Sequence, residues 1–190
     1  MLKDLILKNR SCRRFQENES VSPDDLKELV ELARLSASGG NKQALKFILS
    51  HDEQTNETIF PHLAWAAGLP EWDGPEQGKR PAAYIIILGD NEISGGFGVD
   101  HGIAAQSILL GAAEKGFAGC MLGSVKREKL RKDLSIPERY EILLVIALGK
   151  PDEQVVIDDC EPGSDTAYWR DDNDVHHVPK RTLDELIVTF

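Results

Sequence analysis

A group of cationic and hydroxyl side chains lies near the start of the sequence. Residues 9–15 read NRSCRRF, so Arg10, Ser11 and Arg13 stand close together in a chain whose formal net charge is -10. Arginine pairs bidentately with phosphate oxygens, and a serine hydroxyl adds a further donor. The group therefore indicates a site for a phosphate or another anion, and a solvated basic turn is the alternative interpretation.

Two glycine-containing segments could approach a flat ligand. Residues 36–43 read SASGGNKQ and residues 119–124 read GCMLGS. Glycine lets the backbone come close to a ligand, and the amides of Asn41 and Gln43 suit the edge of a heterocycle. Each segment also has a simpler interpretation. The first could be a helix-capping loop, and the second a turn between helices that passes through a short buried strand.

A second cationic group lies near the C-terminal end, where residues 176–181 read HHVPKR. Neighbouring histidines can bind a metal, but no third ligand has a recognisable spacing, so we predict no metal site. Lys180 and Arg181 instead offer a second cationic group for a phosphate.

The composition excludes several classes of function. With 22 Lys and Arg against 32 Asp and Glu, the chain lacks the basic stripe that nucleic acid or an anionic membrane surface requires. The longest apolar runs, YIIILG and ILLVIALG, are too short to cross a bilayer. Three widely spaced cysteines form no CxxC pair and no zinc spacing, which indicates reduced thiols in a cytoplasmic protein. No GxGxxG, Walker A or GxSxG motif is present.

Helical and strand patterns alternate along the chain and must position these groups. Helical spacing is seen over residues 2–9, from Pro23 to the SGG at 38–40, over 100–117 and over 126–136. Apolar strand patterns cover residues 45–50, 82–90 and 140–151. Residues 55–80 are predicted as short helices with a long excursion, and the tail from residue 152 as polar and irregular until RTLDELIVTF. This order predicts an α/β fold in one domain, residues 1–190, with helices covering a central sheet.

Taken together, the segments resemble the nitroreductase family of flavin-dependent oxidoreductases. RSCRRF resembles the family's R-S-x-R-x-F segment, and residues 37–45 resemble its P-S-x-x-N-x-Q-P-W segment. The chain departs there by having Ala37 and Ala44 in place of the prolines and Leu45 in place of the tryptophan. The helix at 100–117, the MLGS turn, the strand LLVIALGKP and the basic pair follow in the family's order, so the resemblance covers nearly the whole chain.

The resemblance implies a fold, an assembly and a set of binding residues. The fold is an α+β arrangement with a central mixed, mainly antiparallel sheet, helices covering it and a domain-embracing C-terminal tail. The assembly is a homodimer with FMN at the subunit interface. The residues implied for the FMN phosphate and nearby polar atoms are Arg10, Ser11, Arg13, Lys180 and Arg181. Those implied for the flavin ring are Ala37, Ser38, Gly39 and Asn41 of the second subunit, with Leu122 and Gly123 near N5. Gln43 is a further candidate for binding the cofactor.

The implied activity is that of an FMN-dependent oxidoreductase with a ping-pong cycle. Hydride passes from NADH or NADPH through the flavin N5 to a small acceptor such as a nitro compound or a quinone, and no protein group need act as an acid. Arg13 is expected near N1 of the reduced flavin, and Trp65, Trp72 and Trp169 are candidates for the pocket wall. The alternatives are a flavin-binding storage or transfer protein with little turnover, and a structural domain without a cofactor.

Overall fold

A four-stranded antiparallel sheet forms the centre of the fold. The computed structural model describes residues 1–190. The strands lie in the order β1-β2-β4-β3, with bounds β1 Leu45–Ser50, β2 Ala83–Asp90, β3 Ala118–Leu122 and β4 Tyr140–Gly149. All three pairings are antiparallel, so the expected α/β class with a mainly antiparallel sheet is confirmed. Residues 119–124 were interpreted in one way as a turn that passes through a short buried strand. Most of that segment lies in the edge strand β3.

Six helices accompany the sheet: α1 Leu2–Lys8, α2 Pro23–Leu35, α3 Glu53–Ile59, α4 Asp100–Glu114, α5 Arg127–Asp133 and α6 Leu183–Leu186. The second begins where its sequence predicts, because the Ser22 hydroxyl accepts a hydrogen bond from the Asp25 amide at 3.0 Å and Pro23 fits the first turn. None of the helices combines the length and apolar character needed to cross a lipid bilayer.

Strand β2 is the centre of the core, since every residue in it is buried. Its side chains alternate between two apolar layers. Tyr84 and Ile86 pack with Phe15 on one face, whereas Ile85 and Ile87 pack on the other face, which α2 and α4 cover. This explains why its sequence is a continuous apolar run rather than an alternation of polar and apolar residues.

The tail was predicted to be irregular, and that prediction is wrong for much of its length. Residues 155–180 contain a second, three-stranded sheet in the order β5-β7-β6, with bounds β5 Val155–Asp159, β6 Trp169–Arg170 and β7 His176–Lys180. The β5–β7 pair is parallel and the β6–β7 pair antiparallel. The strands are short and polar, so their periodicity is weak and the pairing partner, which sequence alone does not identify, decides the conformation.

The basic segment near the N-terminus lies in extended form between the two sheets. The Cys12 amide donates to the Gly119 carbonyl at 3.0 Å, and the Asp152 amide donates to the Arg14 carbonyl at 2.9 Å. Phe15 is fully buried and packs against Gly149. These contacts hold residues 11–16 beside the strand ends and place the intervening side chains between the central sheet and the tail.

We expect Gly119→Ala to destabilise the fold by about 1–3 kcal/mol, because overpacking forces backbone shifts. A Cβ at this position would lie 2.3 Å from the Ala147 carbonyl oxygen, which is backbone and cannot rotate away. Gly95→Ala is the matched control, since a Cβ there meets nothing within 4 Å. Urea unfolding of both variants measures the effect, and equal midpoints for the two would contradict this account of Gly119.

Candidate anion site

A cavity of about 340 Å³ opens between the N-terminal segment, α4, β3 and the tail strand β7. Its volume falls within the range of small-molecule sites. The residues that line it come from distant parts of the sequence: Asn9, Arg10, Ser11, Arg13, Gln106, Leu109, Gly119, Met121, Tyr168, His176, Val178 and Lys180. The fold therefore brings one cation from the C-terminal end to the basic group of the N-terminal end.

The electrostatic character of this cavity differs from that of the whole chain. Three cationic side chains, those of Arg10, Arg13 and Lys180, line it, and none of its lining residues is an Asp or Glu. The chain as a whole carries 32 acidic residues and a net charge of -10. Because like charges near each other raise the free energy of an empty site, this arrangement favours binding of an anion.

Arg13 has its guanidinium held by two residues of the tail. Its Nη1 lies 3.3 Å from Nε2 of His176 and 3.4 Å from the Ser11 carbonyl oxygen. The guanidinium carbon lies 5.0 Å from the centre of the Tyr168 ring, a cation–π distance. Tyr168 is itself anchored, because its hydroxyl accepts a hydrogen bond from the Gly68 amide at 2.9 Å.

A buried carboxylate holds the backbone of the same segment. The side chain of Glu153 is 1% exposed, and its carboxylate accepts a hydrogen bond from the Arg13 amide and pairs with Arg170 at 3.0 Å. Arg170 stacks on Trp72, with 4.4 Å from the guanidinium carbon to the ring centre. Residues 55–80, which include Trp72, therefore pack against the tail through Arg170.

The other basic residues of the cavity have open donor capacity. Arg10 donates from Nη2 to the Ile6 carbonyl at 2.8 Å, while its buried Nε has no hydrogen-bond partner. An unpaired buried donor carries a free-energy cost that an anionic acceptor would remove. The chemistry of Arg10, Ser11, Arg13 and Lys180 therefore fits a phosphate group.

The remaining residues implied by the resemblance lie outside this lining. Arg181 pairs with Glu185 at 3.3 Å. Leu122 is buried in β3, and the Gly123 carbonyl accepts a hydrogen bond from Arg127 at 3.0 Å.

The loop over residues 37–43, predicted to lie against a flavin ring, is ordered by its own contacts. The Gly39 amide donates to Asp100 at 2.9 Å, and the Ser38 hydroxyl accepts from the Gln43 amide at 3.0 Å. Asn41 takes a positive φ of 54°. None of Ala37, Ser38, Gly39, Asn41 and Gln43 lines the cavity of the same chain.

The tryptophans considered for the pocket wall also have other roles. Trp65 is buried in the same apolar layer as Phe15, Tyr84 and Ile86, and Trp72 packs against Arg170. Trp169 stacks on His177 with ring centres 4.2 Å apart. None of the three lines the cavity.

Three cavity residues carried no sequence signal strong enough to select them. Gln106 and Tyr168 stand in a helix and a polar tail where nothing marks them, and His176 was considered only as half of a histidine pair. The structure separates that pair, because His176 faces Arg13 while His177 lies 2.8 Å from Asp158. Alternation of side chains along β7 explains the separation.

A larger cavity of about 510 Å³ has a different character. The carboxylates of Glu17, Glu53 and Glu57 line it together with a single arginine, Arg80. Glu17 is already engaged with the amides of Gly78 and Arg80. This mixture of charges favours an anion less than the three cations of the smaller cavity do.

The two cysteines near the basic segment should be unreactive in the folded protein. Burial raises the pKa of Cys12 far above its ordinary value and raises that of Cys120 to about 12. Since the thiolate is the reactive form, neither thiol should react measurably with an aromatic disulfide reagent at pH 8. All three cysteines should react after unfolding in urea. Rapid native labelling of Cys12 or Cys120, located by peptide mapping, would contradict the burial that the fold shows.

The fold and the site together define a class: an α/β protein with an antiparallel sheet and a cationic cavity at the junction of its N-terminal segment and its tail. The model of the nitroreductase family matches residues 6–150, so this chain belongs to the nitroreductase family. Membership supports a general oxidoreductase role.

Individual relatives agree with this assignment. A protein of Archaeoglobus fulgidus, provisionally named an NADH dehydrogenase/NAD(P)H nitroreductase, is 27% identical over 158 residues, with 79% of this chain and 85% of the relative covered. A nitroreductase family protein from Streptococcus pneumoniae superposes with a TM-score of 0.71 at 17% identity, covering 100% of both chains. An FMN-dependent nitroreductase from Clostridium difficile gives 0.63 at 22% identity, covering 81% of this chain and 92% of its own. At 17% and 22% identity, the Streptococcus pneumoniae and Clostridium difficile structures show that the fold is shared.

Proposed function

We propose that this protein is an FMN-dependent oxidoreductase that uses NADH or NADPH to reduce a small acceptor such as a nitro compound or a quinone. The observation that carries the proposal is the carboxylate-free cavity with its three cations in a strongly acidic chain. The name of the Clostridium difficile neighbour supports FMN, and the name of the Archaeoglobus fulgidus relative supports the nicotinamide reductant.

In this proposal the cavity residues divide the binding of FMN among them. Arg10, Ser11 and Lys180 hold the phosphate by charge-assisted hydrogen bonds, which are stronger than neutral ones. Arg13 adds a planar fork whose charge also favours the reduced, anionic cofactor. Bound FMN would supply the redox chemistry, while the chain supplies placement and charge.

We further propose that residues 1–190 act as one domain and that two copies form a homodimer. The loop over residues 37–43 and Arg181 lie outside the cavity of their own chain, so they would reach FMN from the second subunit or after rearrangement of the C-terminal segment. Exposed apolar side chains on α1 and α6, among them Leu7 and Leu186, are consistent with an interface. Leu122 and Gly123 would approach the flavin N5 by backbone.

The first experiment is the visible absorption spectrum of the purified protein, with identification of any chromophore released by heat. FMN in near one-to-one ratio with chains is the expected result. Oxidation of NADH or NADPH is then followed with a nitroaromatic or a quinone as acceptor. A colourless protein that also fails to bind added FMN would overturn the cofactor assignment. Bound FMN that neither nucleotide reduces would overturn the enzyme assignment and favour flavin storage or transfer.

A further inference from the structure

The larger cavity, of about 510 Å³, contains two donor groups that have no partner in the chain. Tyr84 lines this cavity and is 1% exposed, yet its hydroxyl makes no hydrogen bond with any other group of the protein. The buried Nε of Arg80, which also lines it, lacks a hydrogen-bond partner as well. Because an unpaired buried donor costs free energy, both groups indicate an acceptor that the chain itself does not supply.

The guanidinium of Arg80 is held in place without being neutralised. Its central carbon lies 4.2 Å from the centre of the Phe60 ring, which is a cation–π distance. Three carboxylates line the same cavity, but none of them forms an ion pair with Arg80. Glu17 instead accepts hydrogen bonds from the backbone amides of Gly78 and Arg80. A guanidinium without a counter-ion favours a carboxylate as the ligand group that faces it.

The Tyr84 hydroxyl is a second donor for the same ligand group. Burial raises the pKa of this phenol above its ordinary value, so it stays protonated near neutral pH. The charges of Arg80 and Glu17 both act on it, which shows that the hydroxyl lies in their neighbourhood. Strand β2 fixes Tyr84 between Ser50 on β1 and Ala147 on β4. The donor is therefore positioned before any ligand binds.

The side of the cavity formed by α3 is acidic. Glu53 and Glu57 line the cavity from this helix, and both are exposed and free of ion pairs. Residues four positions apart share one face of a helix, so the two carboxylates act on the same region. A ligand with only a negative charge would be repelled by them, and one with only a positive charge would leave Arg80 unpaired. A ligand that carries both charges complements both sides.

We propose that the larger cavity binds a small zwitterion of the amino-acid class, whose carboxylate accepts hydrogen bonds from Arg80 and Tyr84 and whose ammonium group lies against Glu53 and Glu57. The volume of the cavity falls within the range of small-molecule sites. The two cavities share no lining residue, so this site does not depend on the binding of FMN. Its failure would leave the proposed oxidoreductase function untouched.

The first test is a titration of the full chain, followed by ¹H–¹⁵N NMR of its amides, with glycine, β-alanine, γ-aminobutyrate and ε-aminocaproate. At least one of these should cause saturable shifts at the amides of Gly78 and Arg80, which border the cavity. The analogues of the tightest ligand that lack its amine or its carboxylate should bind at least about ten-fold more weakly. No saturable shift with any of the four up to about 10 mM, or equal binding of an analogue with one charge, would overturn the proposal.

Substitutions then locate the two ends of the ligand. Arg80→Gln and Tyr84→Phe each remove a donor to the carboxylate and should weaken binding about ten-fold. Glu57→Gln should weaken binding by about three- to ten-fold, since an exposed charge interacts less strongly. The control is Glu128→Gln, which makes the same change of charge at an exposed position of α5 outside the cavity. An unchanged affinity in Tyr84→Phe, or equal losses in Glu57→Gln and Glu128→Gln, would overturn the proposal.

One further measurement needs no ligand. Because the Tyr84 hydroxyl has no partner in the chain, Tyr84→Phe should leave the urea midpoint of the free protein unchanged or raise it. A lower midpoint would show that the chain itself satisfies this hydroxyl, and it would overturn the assignment of Tyr84 as a donor to the ligand.

Discussion

Replacing Arg13 with alanine should weaken FMN binding at least about ten-fold, because a lost charge-assisted hydrogen bond costs roughly 1.5–3 kcal/mol. Arg13 is the cation of the cavity whose side chain is most completely positioned, by His176, Tyr168 and the Ser11 carbonyl. Arg13→Lys should recover only part of the affinity, since an ammonium keeps the charge but lacks the planar fork.

The control for this experiment is an arginine of equal charge outside the cavity. Arg34 lies on the exposed side of α2, where it pairs with Glu31. Arg34→Ala alters the net charge by the same amount and should leave FMN binding unchanged. A similar loss in both variants would assign the effect to the overall field of the protein and would remove Arg13 from the FMN site.

Replacing Glu153 with alanine should lower the free energy of unfolding by about 3–5 kcal/mol, because it leaves the largely buried Arg170 with only the longer contact to Asp174 at 3.8 Å. Arg170 is 11% exposed in its side chain and has Glu153 at 3.0 Å. The same substitution removes the acceptor of the Arg13 amide. Typical domains are stable by only about 5–15 kcal/mol, so the loss is a large share of the total.

Two variants test whether burial is the cause. Glu153→Gln keeps an oxygen acceptor for one donor and should lose less than the alanine variant. Glu76→Ala removes an exposed carboxylate that lies 3.9 Å from Arg14, which keeps its pair with Asp174, and it should cost less than about 1 kcal/mol. Chemical denaturation of the three proteins gives the comparison. Losses of the same size for Glu76→Ala and Glu153→Ala would show that the buried network is not what secures the tail.

The elements of the central sheet were predictable because their local signals agree. Ser22, Pro23 and the apolar stripe mark α2, and the apolar run of β2 marks a strand buried on both faces. The tail sheet was not predictable, since β6 has two residues and β7 contains Pro179. Its conformation depends on pairing between residues such as Val155 and His176, which sequence periodicity does not reveal.

The residues of the candidate site also fall into a predictable and an unpredictable group. Arg10, Ser11, Arg13 and Lys180 could be selected because arginine, serine and lysine in clusters have a recognisable chemistry, and the structure brings these four to one cavity. The sequence did not identify Tyr168 and Glu153 as residues of the site. Their importance comes from burial and from partners more than 90 residues away, such as Gly68 and Arg13.

The assembly of the cavity from both ends of the chain has a consequence for biosynthesis. The Arg13 amide bonds a residue 140 positions later, and its side chain meets one 163 positions later. The ribosome delivers these partners long after the N-terminal segment, and contacts so distant in sequence form slowly because much chain must be ordered to close them. A nascent chain that has not yet reached Lys180 has the strands of the central sheet but an incomplete anion cavity, so loading with a phosphate-bearing ligand must follow the synthesis of the tail.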